Sequence, residues 1–236
     1  MNQIPRLITE NEYWELVELI HEEVDSASIV YHTYEEIKRL ALESREVMAS
    51  LDENAQFWIT QLHSLQTTLF LILSRVFDST PRAQTIHVLM NATLANIQFF
   101  SADALYRRKI PVGLSEFGLQ YYVQNAWKPV CANDLRHLKK NLANYSRRFE
   151  KIYRPIRNSI YAHRLMTDHQ AAQKFFGATS RTEIGEIIEF LQQLVSALRA
   201  LYQNGTEPIF ANCDMGPRNQ NVRVGVQNVL RSLVRR

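Results

Sequence analysis

Arg157-Asn158-Ser159-Ile160-Tyr161-Ala162-His163 places a guanidinium, an amide and an imidazole within one short string. The three groups suit cleavage of an RNA backbone. An imidazole takes a proton from a ribose 2′-hydroxyl or gives one to the leaving 5′-oxygen. A guanidinium holds the phosphate and offsets the negative charge that grows on it. An amide orients either group, and the set requires neither metal nor cofactor. On a continuous helix Arg157 and His163 stand roughly 120° apart around the axis and about 9 Å apart along it, so they do not share a face. Convergence then calls for the long reach of Arg157, a helix end near His163, or a second copy of the string from a dimer partner. The plainer reading gives Arg157 an acidic partner and makes His163 a helix-end cap. Spacing alone says little, because Arg82 to His87 and Arg164 to His169 show similar intervals.

The string ends a basic stretch. Residues 136–164 hold nine bases against one acid, whereas residues 1–60 hold thirteen acids against four bases. The formal net charge of +3 therefore conceals an acidic front and a basic segment. Arg136, Lys140, Arg147, Lys151 and Arg154 recur at helical spacing and make one cationic stripe. Two readings stand side by side: salt-sensitive phosphate binding, or pairing with the acidic first helix within the bundle or across a dimer. Tyr121, Tyr122 and Trp127 can stack on bases, although such residues on a short amphipathic helix more commonly join a core or interface. A metal site from His163, Asp168 and His169 lacks a compact helical ligand pair.

The elements that must position these groups are helical. Only seven Gly and seven Pro occur in 236 residues, which argues against sandwich and barrel folds. Thr9 and Glu12 form a capping box. Apolar residues then recur at helical spacing to about Ala49, as one long helix or two with a bend near Ser26 and Ser28. A second helix follows Asp52, apolar on more than one side around Leu69–Leu73 and so expected to be central. Thr80 as N-cap and Pro81 at the first position open a third helix running to about Arg107. Ser115 and Glu116 open a short one. The basic stretch is helical from 133, with Pro155 kinking or splitting it. Thr182 to Gln203 is the last long helix, ended by Asn204-Gly205. These readings define an all-α bundle of five or six helices over residues 1–205. Residues 206–236 form a basic C-terminal extension, read as a loop with a short, mobile terminal element.

The string RPIRNSIYAHR resembles the Arg-Asn…Ala-His signature of the HEPN superfamily. The segment LFLILSRVFD, residues 69–78, resembles the second-helix motif of the branch related to the abortive-infection protein AbiU. Both occur in the expected order, and the resemblance spans about residues 10–203. It implies a dimer that brings two copies of Arg157 and His163 to a shared cleft. It further implies metal-independent endoribonuclease activity in a toxin or phage-defence setting, or, alternatively, a non-catalytic RNA-binding or protein-interaction module. By motif match Arg157, Asn158 and His163 are catalytic. Arg75 and Asp78 match the second motif, and Arg154 and Arg164 flank the first as binding cations. One HEPN toxin group carries a Tyr two residues after its His, where an antitoxin modifies it; Leu165 stands there in this chain.

Cys131 and Cys213 are too few for a disulfide framework. No long apolar core opens the chain, and Leu69–Val76 is too short to span a bilayer. The expectation is a cytoplasmic protein without cofactor or membrane association. Its expected partners are RNA, a second copy of itself, and an antitoxin or regulatory protein.

Overall fold

The computed structural model describes residues 8–80, 83–110, 115–125, 127–156, 180–208 and 216–234. All the regular structure among them is helical. The elements are α1 (Glu10–Glu43), α2 (Arg45–Asp52), α3 (Ala55–Val76), α4 (Ile86–Ala95), a 3₁₀ turn (Ile97–Phe100) and α5 (Ala102–Lys109). They continue with α6 (Glu116–Asn125), α7 (Ala132–Arg148), α8 (Arg181–Asn204) and α9 (Gly216–Val234). This is more than the five or six helices expected, because polar caps divide two of the long apolar patterns.

The capping box forms as read: Glu12 N–H donates to Thr9 Oγ1 at 3.2 Å, and Thr9 N–H donates to Glu12 Oε2 at 2.8 Å. Helix α1 then runs unbroken through Ser26 and Ser28. The break falls instead at Ser44, whose extended backbone and hydroxyl cap α2 by accepting from Val47 N–H. Thr85, not Thr80, caps α4 by accepting from Val88 N–H. Ser101 restarts the chain as α5, where the sequence reading ran one helix through to Arg107. Each cap satisfies a backbone donor that the first turn of a helix leaves without a partner.

The chain divides into two compact units. The first draws on residues 1–22, 76–147 and 190–213. Its core contains Tyr13, Val17, Ile20, Phe77, Leu89, Met90, Leu105, Leu135, Leu191 and Leu198. Tyr13 is fully buried and its hydroxyl bonds Thr93 Oγ1 at 3.0 Å. Burial, partly offset by that hydrogen bond, pushes its ionisation well above the ordinary value. Arg108 is held by Glu10, by the Phe99 and Tyr202 carbonyls and over the Tyr202 ring. Gly205, at φ +63, ends α8 in the left-handed conformation that a side chain disfavours.

The second unit draws on residues 23–75, 148–189 and 214–236. In α3, Leu69, Phe70, Ile72 and Leu73 are buried, while Leu71 is partly exposed. Residues 216–234 form a 19-residue helix, where only a short element was expected. Its apolar end joins Leu230 to Ile37, Val47 and Leu51. Its polar part meets a polar row on α1. Asp25, Ser28, His32 and Glu36 are all buried and lie three to four residues apart. Arg218 pairs with Asp25 at 2.6 Å, and Ser28 donates to Asn219 at 3.0 Å. Arg223 lies 3.3 Å from His32 Nδ1, and Gln227 donates to Glu36 at 2.7 Å. These four rungs fix the register of α9 on α1, because a shift would leave buried polar groups without partners.

Candidate functional site

Arg157, Asn158, His163 and Arg164 lie outside the described residues, as do Asp168 and His169. The structure does describe the turn from which the string departs. After α7 the helix widens into a π turn at Phe149–Tyr153 and continues through Arg154–Ile156. The N–H of Arg154 donates to the carbonyl of Phe149, five residues back. Pro155 has no N–H to return, and its ring crowds the preceding turn. The wider turn absorbs that demand just ahead of the proline, so the helix passes through Pro155 to Ile156 without splitting there.

Tyr153 anchors this turn. Its ring is buried, stacking on Phe149 and Phe70 with centroids 6.0 Å away in each case. Its hydroxyl donates to Glu183 Oε2 at 2.9 Å, near the start of α8. It also donates to the carbonyl of Ser180 at 3.3 Å. Burial first, and then the neighbouring Glu183 carboxylate, raise its ionisation well above the ordinary tyrosine value, so the group stays a donor. Arg148 adds an exposed pair with Glu186 at 3.4 Å. The segment that carries the Arg-Asn…His string therefore leaves a fixed point and returns to one, both held by the same phenol. Sequence reasoning missed Tyr153 and Glu183. The available signal was the pair Phe149 and Tyr153 at an interval of four, an apolar contact inside an otherwise basic stretch.

The described candidate binding residues each have local partners. Arg154 pairs with Glu150 at 2.8 Å, one helical turn back. Arg75 is mostly exposed and directs Nε and Nη2 to Glu23 Oε2 at 3.2 and 2.7 Å. Asp78 accepts from the backbone N–H and hydroxyl of Thr80 at 2.9 and 2.7 Å and so shapes the turn after α3. Tyr122 donates to the Asn204 carbonyl at 2.7 Å, while Tyr121 is exposed. Among the described residues no three His, Cys, Asp or Glu side chains gather as a metal site, and no helix is long and apolar enough to cross a membrane.

Several acids of the acidic front pair with scattered arginines. In the first unit Glu10 meets Arg107 and Arg108, and Glu18 meets Arg199 at 2.7 Å. In the second, Glu23 meets Arg75 and Asp25 meets Arg218. Arg136, Lys139, Lys140 and Arg147 of α7 pair with no acid among the described residues. For these four cations, pairing with the acidic first helix within the chain does not occur.

The arrangement is thus an all-helical chain whose Arg-Asn…His string follows a pinned π turn. The HEPN_AbiU2 family model, described as AbiU2, matches residues 10–211. The chain belongs to this HEPN family. No curated protein and no solved structure matches it.

Proposed function

We propose that the protein is a metal-independent endoribonuclease that acts as a homodimer in a toxin or phage-defence role. The Arg157-Asn158…His163 string, inside the region matched by the HEPN family and directly after the pinned turn at Tyr153, carries this reading. The ribose 2′-hydroxyl attacks the adjacent phosphorus and the bond from phosphorus to the 5′-oxygen breaks. One strand keeps a 2′,3′-cyclic phosphate and the other gains a 5′-hydroxyl. His163 moves the proton, either from the 2′-hydroxyl or to the 5′-oxygen. Arg157 stabilises the charge that develops on the phosphoryl oxygens, and Asn158 orients the groups. Two copies of the string, one from each protomer, overcome the angular separation that Arg157 and His163 would have on a continuous helix.

Arg164 and Arg154 are the flanking phosphate contacts in this scheme. Arg154 engages only by exchanging its Glu150 partner for a phosphate. Likewise, a nucleotide reaching Arg75 and Asp78 displaces their bonds to Glu23 and Thr80. An antitoxin or other regulatory protein is the expected restraint on such an activity.

The test incubates wild-type protein and the His163→Ala variant with total RNA in EDTA and identifies the new ends. Cyclic phosphate ends from wild type alone are expected, with DNA left intact for want of a 2′-hydroxyl. Equal cleavage by both proteins, or none by wild type, overturns the reading in favour of a non-catalytic HEPN module.

A further inference from the structure

Helix α7 presents two chemically different sides. Leu135, Leu138 and Leu142 are buried. Asn133, Arg136, His137, Lys139, Lys140, Asn141, Asn144 and Arg147 are exposed. Arg136, His137, Lys139 and Lys140 have no side-chain hydrogen bond or ion pair among the described residues. Among the described residues Arg147 bonds only neutral oxygens, Asn144 Oδ1 at 2.7 Å and the Ala143 carbonyl at 3.2 Å. The one exposed acid on this helix is Asp134, in its first turn.

We infer that this face of α7 is a track for the phosphate backbone of single-stranded nucleic acid, indifferent to base and to sugar. Three features select that occupant. These cations meet no acid among the described residues, while Glu10 and Glu18 of the same unit are taken by Arg107, Arg108 and Arg199, so the α7 charges are open to an external anion. Arg136, Lys140 and Arg147 lie along about 16 Å of one helix face, which suits an anion with charges repeated along its length. The exposed face offers no leucine, phenylalanine or tryptophan, so it lacks the apolar wedge that a membrane-surface helix inserts. It lacks as well the dry apolar centre of most protein interfaces. Guanidinium, ammonium and amide groups hold phosphates without reading bases. The surface is independent of the cleavage reading, because phosphate binding requires no 2′-hydroxyl.

The test uses the full-length protein with two probes that attack by a 2′-hydroxyl cannot cleave: fluorescent oligodeoxythymidine and the matching 2′-O-methyl RNA. Binding is titrated over a range of salt for three proteins. These are wild type, the triple variant R136Q/K140Q/R147Q, and a control triple R45Q/K128Q/R231Q that removes equal charge elsewhere. All substituted side chains are exposed, and circular dichroism checks the fold. Wild type is expected to bind both probes with similar affinity. The α7 triple should lose about tenfold or more, and its salt slope should flatten by about 2, at about 0.7 per lost single-strand phosphate contact. The control should stay near wild type. Equal losses in both triples, no loss in the α7 triple, or binding of only one sugar type overturns the proposal. None of these outcomes depends on whether His163 supports cleavage.

Discussion

Lowering pH should loosen α9 through His32. This imidazole is 8% exposed, and its Nδ1 faces a guanidinium nitrogen of Arg223 at 3.3 Å. An always-protonated guanidinium can only donate, so the neutral imidazole accepts there and carries its own proton on Nε2. Burial first, and the nearby Arg223 charge second, lower the His32 pKa from 6.5 to about 4. The sign follows directly: between those values the unfolded chain binds the proton and the folded chain does not, so stability rises with pH. The contribution is complete above about pH 6.5 and disappears as pH falls toward 4. Over the whole window it amounts to roughly 3 kcal/mol, of which about 2 kcal/mol is lost by about pH 5. With a urea dependence of about 2–3 kcal/mol per molar, the midpoint should fall by roughly 0.7–1 M. The comparison is His32→Gln, whose amide oxygen still accepts from Arg223 but does not titrate. His87 titrates with the same sign, its pKa lowered by burial and by Lys139, and it is present in both proteins. Glu36, held below the ordinary carboxylate value mainly by its bond from Arg39, is likewise shared. The difference between the two titrations therefore isolates His32. Parallel stability curves from about pH 7.5 to 5 would refute the assignment of a neutral His32 to the α1–α9 ladder.

Two further substitutions test one turn in each unit. Tyr153→Phe keeps the stacked ring and removes the donor to Glu183, so urea denaturation should show a loss of about 1–3 kcal/mol. A double-mutant cycle with Glu183→Gln should show that most of this is shared between the two residues, and simple additivity would contradict the pairing. Gly205→Ala meets both the left-handed backbone at φ +63 and the Trp127 ring, which a Cβ would strike. It should destabilise by about 1–3 kcal/mol in the same assay, and a neutral result would contradict the turn as described.

Much of the all-α architecture was legible because it rests on apolar periodicity and low Gly and Pro content. The Thr9–Glu12 box and the Asn204-Gly205 stop are local signals, and both operate as read. The missed boundaries are also local, but Ser44, Thr85 and Ser101 cap helices inside runs whose apolar pattern continues past them. Periodicity outweighed a single hydroxyl in those places, although that hydroxyl satisfies a donor that the pattern cannot. Helix α9 was illegible for a different reason. Leu230 is its one fully buried residue, and the rest of its docking is polar. Asp25, Ser28, His32 and Glu36 give away nothing on their own, since a polar row on a helix normally faces solvent. Only the fold reveals that their partners lie almost two hundred residues later. Of the candidate site, the motif string could be read, while the phenol that pins its preceding turn could not.

The charge pattern separates two roles that a net value merges. An acidic front over residues 1–60 and a basic segment over residues 136–164 suggest mutual neutralisation, since −9 and +8 nearly cancel. Instead, arginines from α3, α5, α8 and α9 take four of the acids of α1. Several of these pairs are partly buried, where guanidinium geometry allows one side chain to satisfy two acceptors, as Arg108 does. This explains why arginine rather than lysine meets these acids, without any reference to ligand. It also leaves Arg136, Lys139, Lys140 and Arg147 as charges the fold does not consume. A fold gains little from concentrating like charges on one exposed face, because their repulsion opposes the helix that carries them. Their concentration is therefore better explained by an anion from outside the chain than by the packing of α7, which Leu135, Leu138 and Leu142 already secure.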